Sequence, residues 1–192
     1  MEFAQSRTAQ NLLKAFAGES QARNRYTLAA GIARQEGFEH IAAVFEETAH
    51  NERAHAQLFY AHLAKLAPSA LEITATYPIV AGATSAQLDA AACGEHEEWD
   101  EIYPEFARIA REEGFNDVAR TFEAIAKVEK EHEERFRRLL GHTEAGTVFV
   151  REGKIQWRCR ECGHVHEGLQ APGACPVCLK PKGYFEPVAE QF

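Results

Sequence analysis

At 192 residues with 45% apolar side chains, the chain is long enough for one medium domain and a small appendage. Its 29 acidic residues outnumber 21 basic ones, giving a net charge of −8, which argues against a nucleic-acid surface, where Lys and Arg gather on one face. No stretch approaches the roughly 20 apolar residues of a membrane span, and the opening Met1-Glu2-Phe3-Ala4-Gln5-Ser6-Arg7 lacks the basic-then-apolar order of a signal peptide, so a cytoplasmic protein is expected.

Helical spacing runs through residues 8–35, with Leu12, Leu13, Phe16, Tyr26, Leu28 and Ile32, and breaks at Gly37. A second run over 38–66 carries Ile41, Val44, Phe45, Leu58, Phe59 and Leu63 and stops before Pro68. Residues 67–83 have no period. So long a connection is expected to have a structural task, such as crossing from one end of a bundle to the other. Thr84-Ser85-Ala86-Gln87 reads as a capping box, Gln87 reaching back to the Thr84 amide. The helix it opens continues to about residue 113, with a kink expected at Pro104. A fourth helix spans 115–140 and ends at Gly141, and 142–146 reads as a linker. The fold class is therefore mainly α, a four-helix bundle with a long crossover over residues 1–146. A small C-terminal β/loop metal module follows over 147–192.

The bundle contains a repeat. Ala33-Arg34-Gln35-Glu36-Gly37-Phe38 matches Ala110-Arg111-Glu112-Glu113-Gly114-Phe115, and Phe45, Glu52, His55 and Phe59 match Phe122, Glu129, His132 and Phe136 at the same offset. A duplicated hairpin predicts approximate two-fold symmetry. Core repetition accounts for the phenylalanines but gives no reason to retain a Glu and a His three residues apart.

Such a pair projects from one helix face, one turn apart. Taken singly, Glu52-Arg53-Ala54-His55 or Glu129-Lys130-Glu131-His132 reads best as a solvated face. Taken together, with Glu19 on the first helix and Glu95 on the third, they form the inward-facing ligand set of di-iron and di-manganese bundles. Carboxylates bridge hard cations, and each imidazole supplies a terminal nitrogen. Glu19 aligns with Glu95 one residue short of the offset that holds from Tyr26/Tyr103 onward. One residue is thus inserted between Glu95 and Tyr103, and a π-bulge is predicted near Glu97 to Asp100.

Cys159-Arg160-Glu161-Cys162-Gly163 and Cys175-Pro176-Val177-Cys178 form a second constellation, and four thiolates suit iron or zinc. Gly163 permits the turn beneath the first pair, whereas Leu179 follows the second. Val150, Ile155, Trp157, Tyr184 and Phe185 are expected to wrap a module this dependent on its metal. Cys93 is read as a small buried thiol. Tyr26 and Tyr103 are either core residues or donors to ligand carboxylates. His40, His50, His62, His96, His142, His164 and His166 are read as surface or packing residues.

Over nearly its whole length the chain resembles the rubrerythrins, through Gly18-Glu19, Glu52-Arg53-Ala54-His55, Gly94-Glu95-His96-Glu97-Glu98-Trp99, Tyr103-Pro104-Glu105-Phe106 and Glu129-Lys130-Glu131-His132 with Arg135-Phe136. The resemblance implies a ferritin-like bundle with a rubredoxin-like module. It adds Glu98 as a seventh ligand, alternating with His55 on one iron as the oxidation state changes. The implied cofactors are a non-haem di-iron centre and one mononuclear iron on Cys159, Cys162, Cys175 and Cys178, with zinc as a substitute. The implied activity is reduction of hydrogen peroxide to water, NADH-linked through an electron-donating reductase or rubredoxin, in a homodimer or higher homo-oligomer. Competing readings are a ferritin-like ferroxidase or iron-handling protein, an oxygen reductase, and a non-enzymatic regulator with a zinc ribbon.

Overall fold

The computed structural model describes residues 2–188. Its helices are α1 (Arg7–Gln35), α2 (Glu39–Leu63), α3 (Thr84–Glu97), α4 (Tyr103–Glu112) and α5 (Asn116–Glu144), with a π-turn at Glu98–Ile102 joining α3 to α4. Three strands follow, β1 (Val150–Cys159), β2 (Val165–Gln170) and β3 (Phe185–Pro187), as an antiparallel sheet ordered β2-β1-β3. Among the described residues, no helix is long and apolar enough to cross a membrane.

Each hairpin turns in the same way. Gly37 and Gly114 adopt φ of 82° and 89°, a region open to glycine at little steric expense. The amides of Phe38 and Phe115 then donate back to the carbonyls of Ala33 (2.8 Å) and Ala110 (2.7 Å). The two-fold relation extends into the core. One aromatic cluster joins Tyr26 and Phe45 of the first hairpin to Phe136 of the second, with centroids 5.1–6.0 Å apart. Its mate joins Tyr103 and Phe122 to Phe59, 5.0–5.8 Å apart. All four phenylalanines are fully buried, each contributing about 1.5–3 kcal/mol, so two rigid apolar layers cross-link the hairpins.

The capping box at Thr84 does not form. Thr84 is the first residue of α3, and its amide donates to the Glu36 carboxylate (3.1 and 3.3 Å), while the Gln87 side chain donates to the Gly82 carbonyl. A carboxylate accepts more strongly than a neutral amide, and Glu36 comes from the end of α1. The repeat mate does the reverse: Glu113 accepts from the amides of Arg7 (3.1 Å) and Thr8 (2.9 Å) at the start of α1. Each hairpin thus caps the other. Glu113→Ala is expected to cost about 1–2 kcal/mol in denaturant unfolding of the metal-free protein, since it removes the acceptor for two amides.

Two boundaries also differ. The fourth helix continues through Gly141 to Glu144 and ends where Gly146 takes φ 66°, so residues 142–144 are helical rather than linker. Glycine inside a helix lowers its propensity without stopping it when packing holds both sides. Pro104 falls in the first turn of α4, directly after the π-turn, where the absence of its N–H matters least.

The C-terminal module meets the bundle at the α1–α2 turn. Phe149 stacks on Phe38 (6.1 Å), and Gly183 lies so close to Gly37 that a Cβ there would sit 2.2 Å from the Gly37 carbonyl oxygen. Glu186, only 5% exposed, faces His40 (3.1 Å), Arg158 (2.6 Å) and Arg160. Burial opposes its ionisation, yet His40, Arg158 and Arg160 outweigh it and hold the carboxyl at about 2. Because the folded value is depressed, this stabilisation is complete above the unfolded carboxyl value and is lost as pH falls from about 4.5 to about 2. Glu186→Gln is therefore expected to lower the melting temperature at pH 7, with the gap to the parent narrowing on acidification through that window.

Candidate metal centres

The bundle brings six of the predicted side chains to one level between the aromatic layers. Two overlapping groups form: Glu19, Glu52, His55 and Glu129, and Glu52, Glu95, Glu129 and His132, each with ligand atoms within 4.8 Å of one another. Glu52 and Glu129 belong to both groups, so they stand between two positions, and each position has one imidazole and one carboxylate of its own. Both histidines face the carboxylates through Nδ1. His55 lies 2.9 Å from Glu52 and Glu129, and His132 lies 2.8 Å from Glu129 and 3.3 Å from Glu52.

This set fits a pair of cations. Glu19, Glu52, Glu95 and Glu129 are at most 1% exposed. Glu19 Oε2, Glu52 Oε1, Glu95 Oε2 and both Glu129 oxygens face no hydrogen-bond donor other than the two imidazole Nδ1 atoms. Unpaired buried carboxylates are costly. Without metal the site compensates with protons. Burial, with the Glu52 charge beside it, raises Glu95 to about 8, and burial lifts Glu19 well above the usual carboxylate range. Burial disfavours charge on His132, but Glu129, Glu52 and Glu95 outweigh it and raise its pKa to about 12. Bound cations replace these protons.

The tyrosines resolve to donors. The Tyr26 hydroxyl donates to Glu95 (2.5 Å), and the Tyr103 hydroxyl donates to Glu19. Burial and the charge of the accepting carboxylate raise both phenols well above their usual value, so they stay protonated and orient the oxygens. Each hydrogen bond crosses from one hairpin to the other.

Glu98 lies outside both four-residue groups. It opens the π-turn at Glu98–Ile102, where the Tyr103 amide bonds to the Glu98 carbonyl, five residues back. The inserted residue is therefore absorbed as predicted, one position further along. On the outer face, Glu133 accepts from Trp99 Nε1 (2.5 Å), His96 (3.0 Å) and Arg137 (2.5 Å), which ties the turn to α5. Sequence reasoning missed Glu133, and it missed the partners of His40 and His96. The only available signal was a Glu adjacent to a candidate ligand. Cys93 is exposed rather than buried, because its helix face turns outward beside the ligand face.

In the module, Cys159, Cys162, Cys175 and Cys178 converge within 4.8 Å. The close approaches are 3.6 Å for Cys159–Cys178 and 3.5 Å for Cys162–Cys175, and all four cysteines are unbridged. Gly163 and Leu179 occupy matching turns with φ of 77° and 63°, so the second knuckle takes the left-handed conformation despite its side chain. Trp157 and Phe185 are fully buried around the site, and Ile155 and Tyr184 partly so. Val150 is exposed at the first residue of β1, where no second layer covers it, and Phe149 packs in its place.

This is the architecture of a ferritin-like di-iron bundle with a rubredoxin-like module. The rubrerythrin family profile matches residues 10–140, and the rubrerythrin, rubredoxin-like domain matches residues 157–186. The rubrerythrin of Porphyromonas gingivalis is 50% identical over 188 residues, covering 97% of this chain and 92% of that one. The rubrerythrin of Nitratidesulfovibrio vulgaris is 50% identical over 182 residues, covering 94% of each. The fully reduced, all-ferrous state of nigerythrin has a TM-score of 0.65 at 33% identity, covering 96% of this chain and 90% of its own. The chain belongs to the rubrerythrin family, and its cofactors are a di-iron centre in the bundle and one iron in the thiolate module.

Proposed function

We propose that this oxidoreductase reduces hydrogen peroxide to water, H2O2 + 2 e− + 2 H+ → 2 H2O, with electrons entering through the four-cysteine iron. Residues 1–146 form the reaction unit and residues 147–192 the relay. Glu19, Glu52, His55, Glu95, Glu129 and His132 would hold the iron pair, Glu52 and Glu129 being the two carboxylates common to both groups of converging ligands. When bound there, the ferrous pair would supply the two electrons that O–O cleavage requires. Tyr26 and Tyr103 fix the orientation of Glu95 and Glu19. Glu98 is the proposed exchange partner of His55. Burial and the charges of Glu19 and Glu95 raise its pKa well above the usual carboxylate range, which favours a carboxyl able to deliver a proton at the edge of the site. The external donor is a reductase or a rubredoxin.

The observation that carries this reading is the presence of both metal clusters on one chain. A protein that only oxidises and stores iron needs no thiolate relay. Anaerobic stopped-flow of the iron-loaded, reduced protein tests it. Peroxide is expected to oxidise both centres rapidly and dioxygen much more slowly. The opposite order would make the protein an oxygen reductase, and a many-subunit cage on size exclusion would favour iron handling.

A further inference from the structure

Of the five bundle carboxylates, Glu98 alone is partly accessible; the other four are buried. What reaches it is a cavity of about 240 Å3 between α1 and the α3–α4 segment, with Glu98 and Tyr103 at its inner end and Lys14 and Arg25 among its walls. Other large cavities among the described residues, such as the one against Phe16, Arg53 and Tyr60, touch none of the seven predicted bundle ligands.

Two features shape this cavity. The first is the pair of Gly-Glu steps, Gly18-Glu19 and Gly94-Glu95, equivalent in the repeat. Both glycines line the cavity, each directly before a predicted ligand. Mid-helix glycine is disfavoured relative to alanine, and open space is what these positions gain in exchange. The second is the connection between α2 and α3, which roofs the cavity with residues 75–78. Tyr77 is pinned there, its hydroxyl donating to the Lys14 carbonyl (3.0 Å). A Cβ on Gly18 would lie 3.7 Å from the Tyr77 ring and 4.0 Å from the Glu98 carboxylate, so the passage to Glu98 runs between these three residues. The Tyr77 hydroxyl is held above its usual value, by burial first and then by the Glu98 charge, as this closeness requires.

We propose that this cavity is the entry route of small oxidants and anions to the di-iron site, and that Tyr77 and Gly18 together set its bore and hence the size of hydroperoxide admitted. The long crossover is thereby a specificity element. The substrate side of this inference rests on the peroxidase reading; the access side does not.

Two variants of the full-length, iron-loaded protein test it. Azide association with the oxidised site, followed by absorption in stopped-flow, measures access without turnover. Tyr77→Ala is expected to raise kcat/KM for tert-butyl hydroperoxide at least 10-fold, leave hydrogen peroxide within about 2-fold, and speed azide association. Gly18→Val, whose added carbons project into the passage, is expected to slow azide and hydrogen peroxide at least 10-fold with iron content unchanged. If Gly18→Val does not retain iron, Tyr77→Ala decides alone, since Tyr77 lies outside the ligand set. Parent-like azide rates and hydroperoxide preference in Tyr77→Ala would overturn the inference. A parent protein that fails to reduce peroxide while azide entry responds to both variants would remove the peroxidase reading and leave the access route standing.

Discussion

Glu129→Gln is expected to strip the bundle of iron and to destabilise the metal-free protein. Glu129 is fully buried, with one oxygen 2.9 Å from His55 Nδ1 and the other 2.8 Å from His132 Nδ1. It belongs to both groups of converging ligands. A neutral amide of the same shape cannot bridge two hard cations, so fewer than one bundle iron per chain and a loss of turnover beyond about 10³-fold are expected. Without metal, Glu129 is a carboxylate partner of both imidazoles and the foremost of the groups that outweigh burial and keep them protonated. Removing its charge leaves two buried imidazolium groups short of a partner, so a loss of about 3–5 kcal/mol is expected in urea unfolding of the metal-free protein. Iron loss is the readout that marks a metal site, and a variant that keeps two bundle irons per chain would contradict it.

Cys175→Ser is expected to separate the two halves of the proposed cycle. The module's buried core consists of Trp157, Cys159, Ala171, Cys175 and Phe185, so two of its five members are thiolate ligands. Burial works against a Cys175 thiolate, but the backbone amides of Cys178 and Val177 and the thiols of Cys162 and Cys178 outweigh it and bring Cys175 down to about 6. Losing it removes one of the four converging thiolate ligands. Structural metal contributes about 10 kcal/mol or more to folding in modules of this size. Residues 150–187 are expected to lose hydrogen-exchange protection, while α1 to α5 keep theirs. A pre-reduced di-iron site should still consume one equivalent of peroxide, and donor-driven cycling should fall at least 100-fold. Unchanged cycling would mean that electrons reach the bundle without the thiolate iron.

The bundle's logic was legible because duplication amplified it. One Glu-x-x-His carries little information; two at a fixed offset, with Glu19 and Glu95 on the partner helices, point to a common centre. The one-residue slip between Glu95 and Tyr103 translated into the π-turn because an inserted residue inside a packed helix has few other places to go. What stayed hidden depended on tertiary contact. Thr84 lies in a local capping pattern, yet Glu36 takes its amide, because a carboxylate from another helix end outcompetes a nearby glutamine. Glu186, Glu133 and Tyr77 reach partners 146, 34 and 63 residues away, which sequence spacing does not reveal; only the Glu133–Arg137 pair, four residues apart, is local. Leu179 adopts a left-handed turn that composition alone assigns to glycine.

The central claim is that six buried side chains from the four long helical segments enclose two cations side by side. Anomalous diffraction at the iron edge from crystals of the iron-loaded protein measures this directly. Two peaks are expected in the bundle, one beside His55 and Glu19 and one beside His132 and Glu95, with Glu52 and Glu129 contacting both. A single peak, or density in which Glu52 and Glu129 each touch only one ion, would contradict the account.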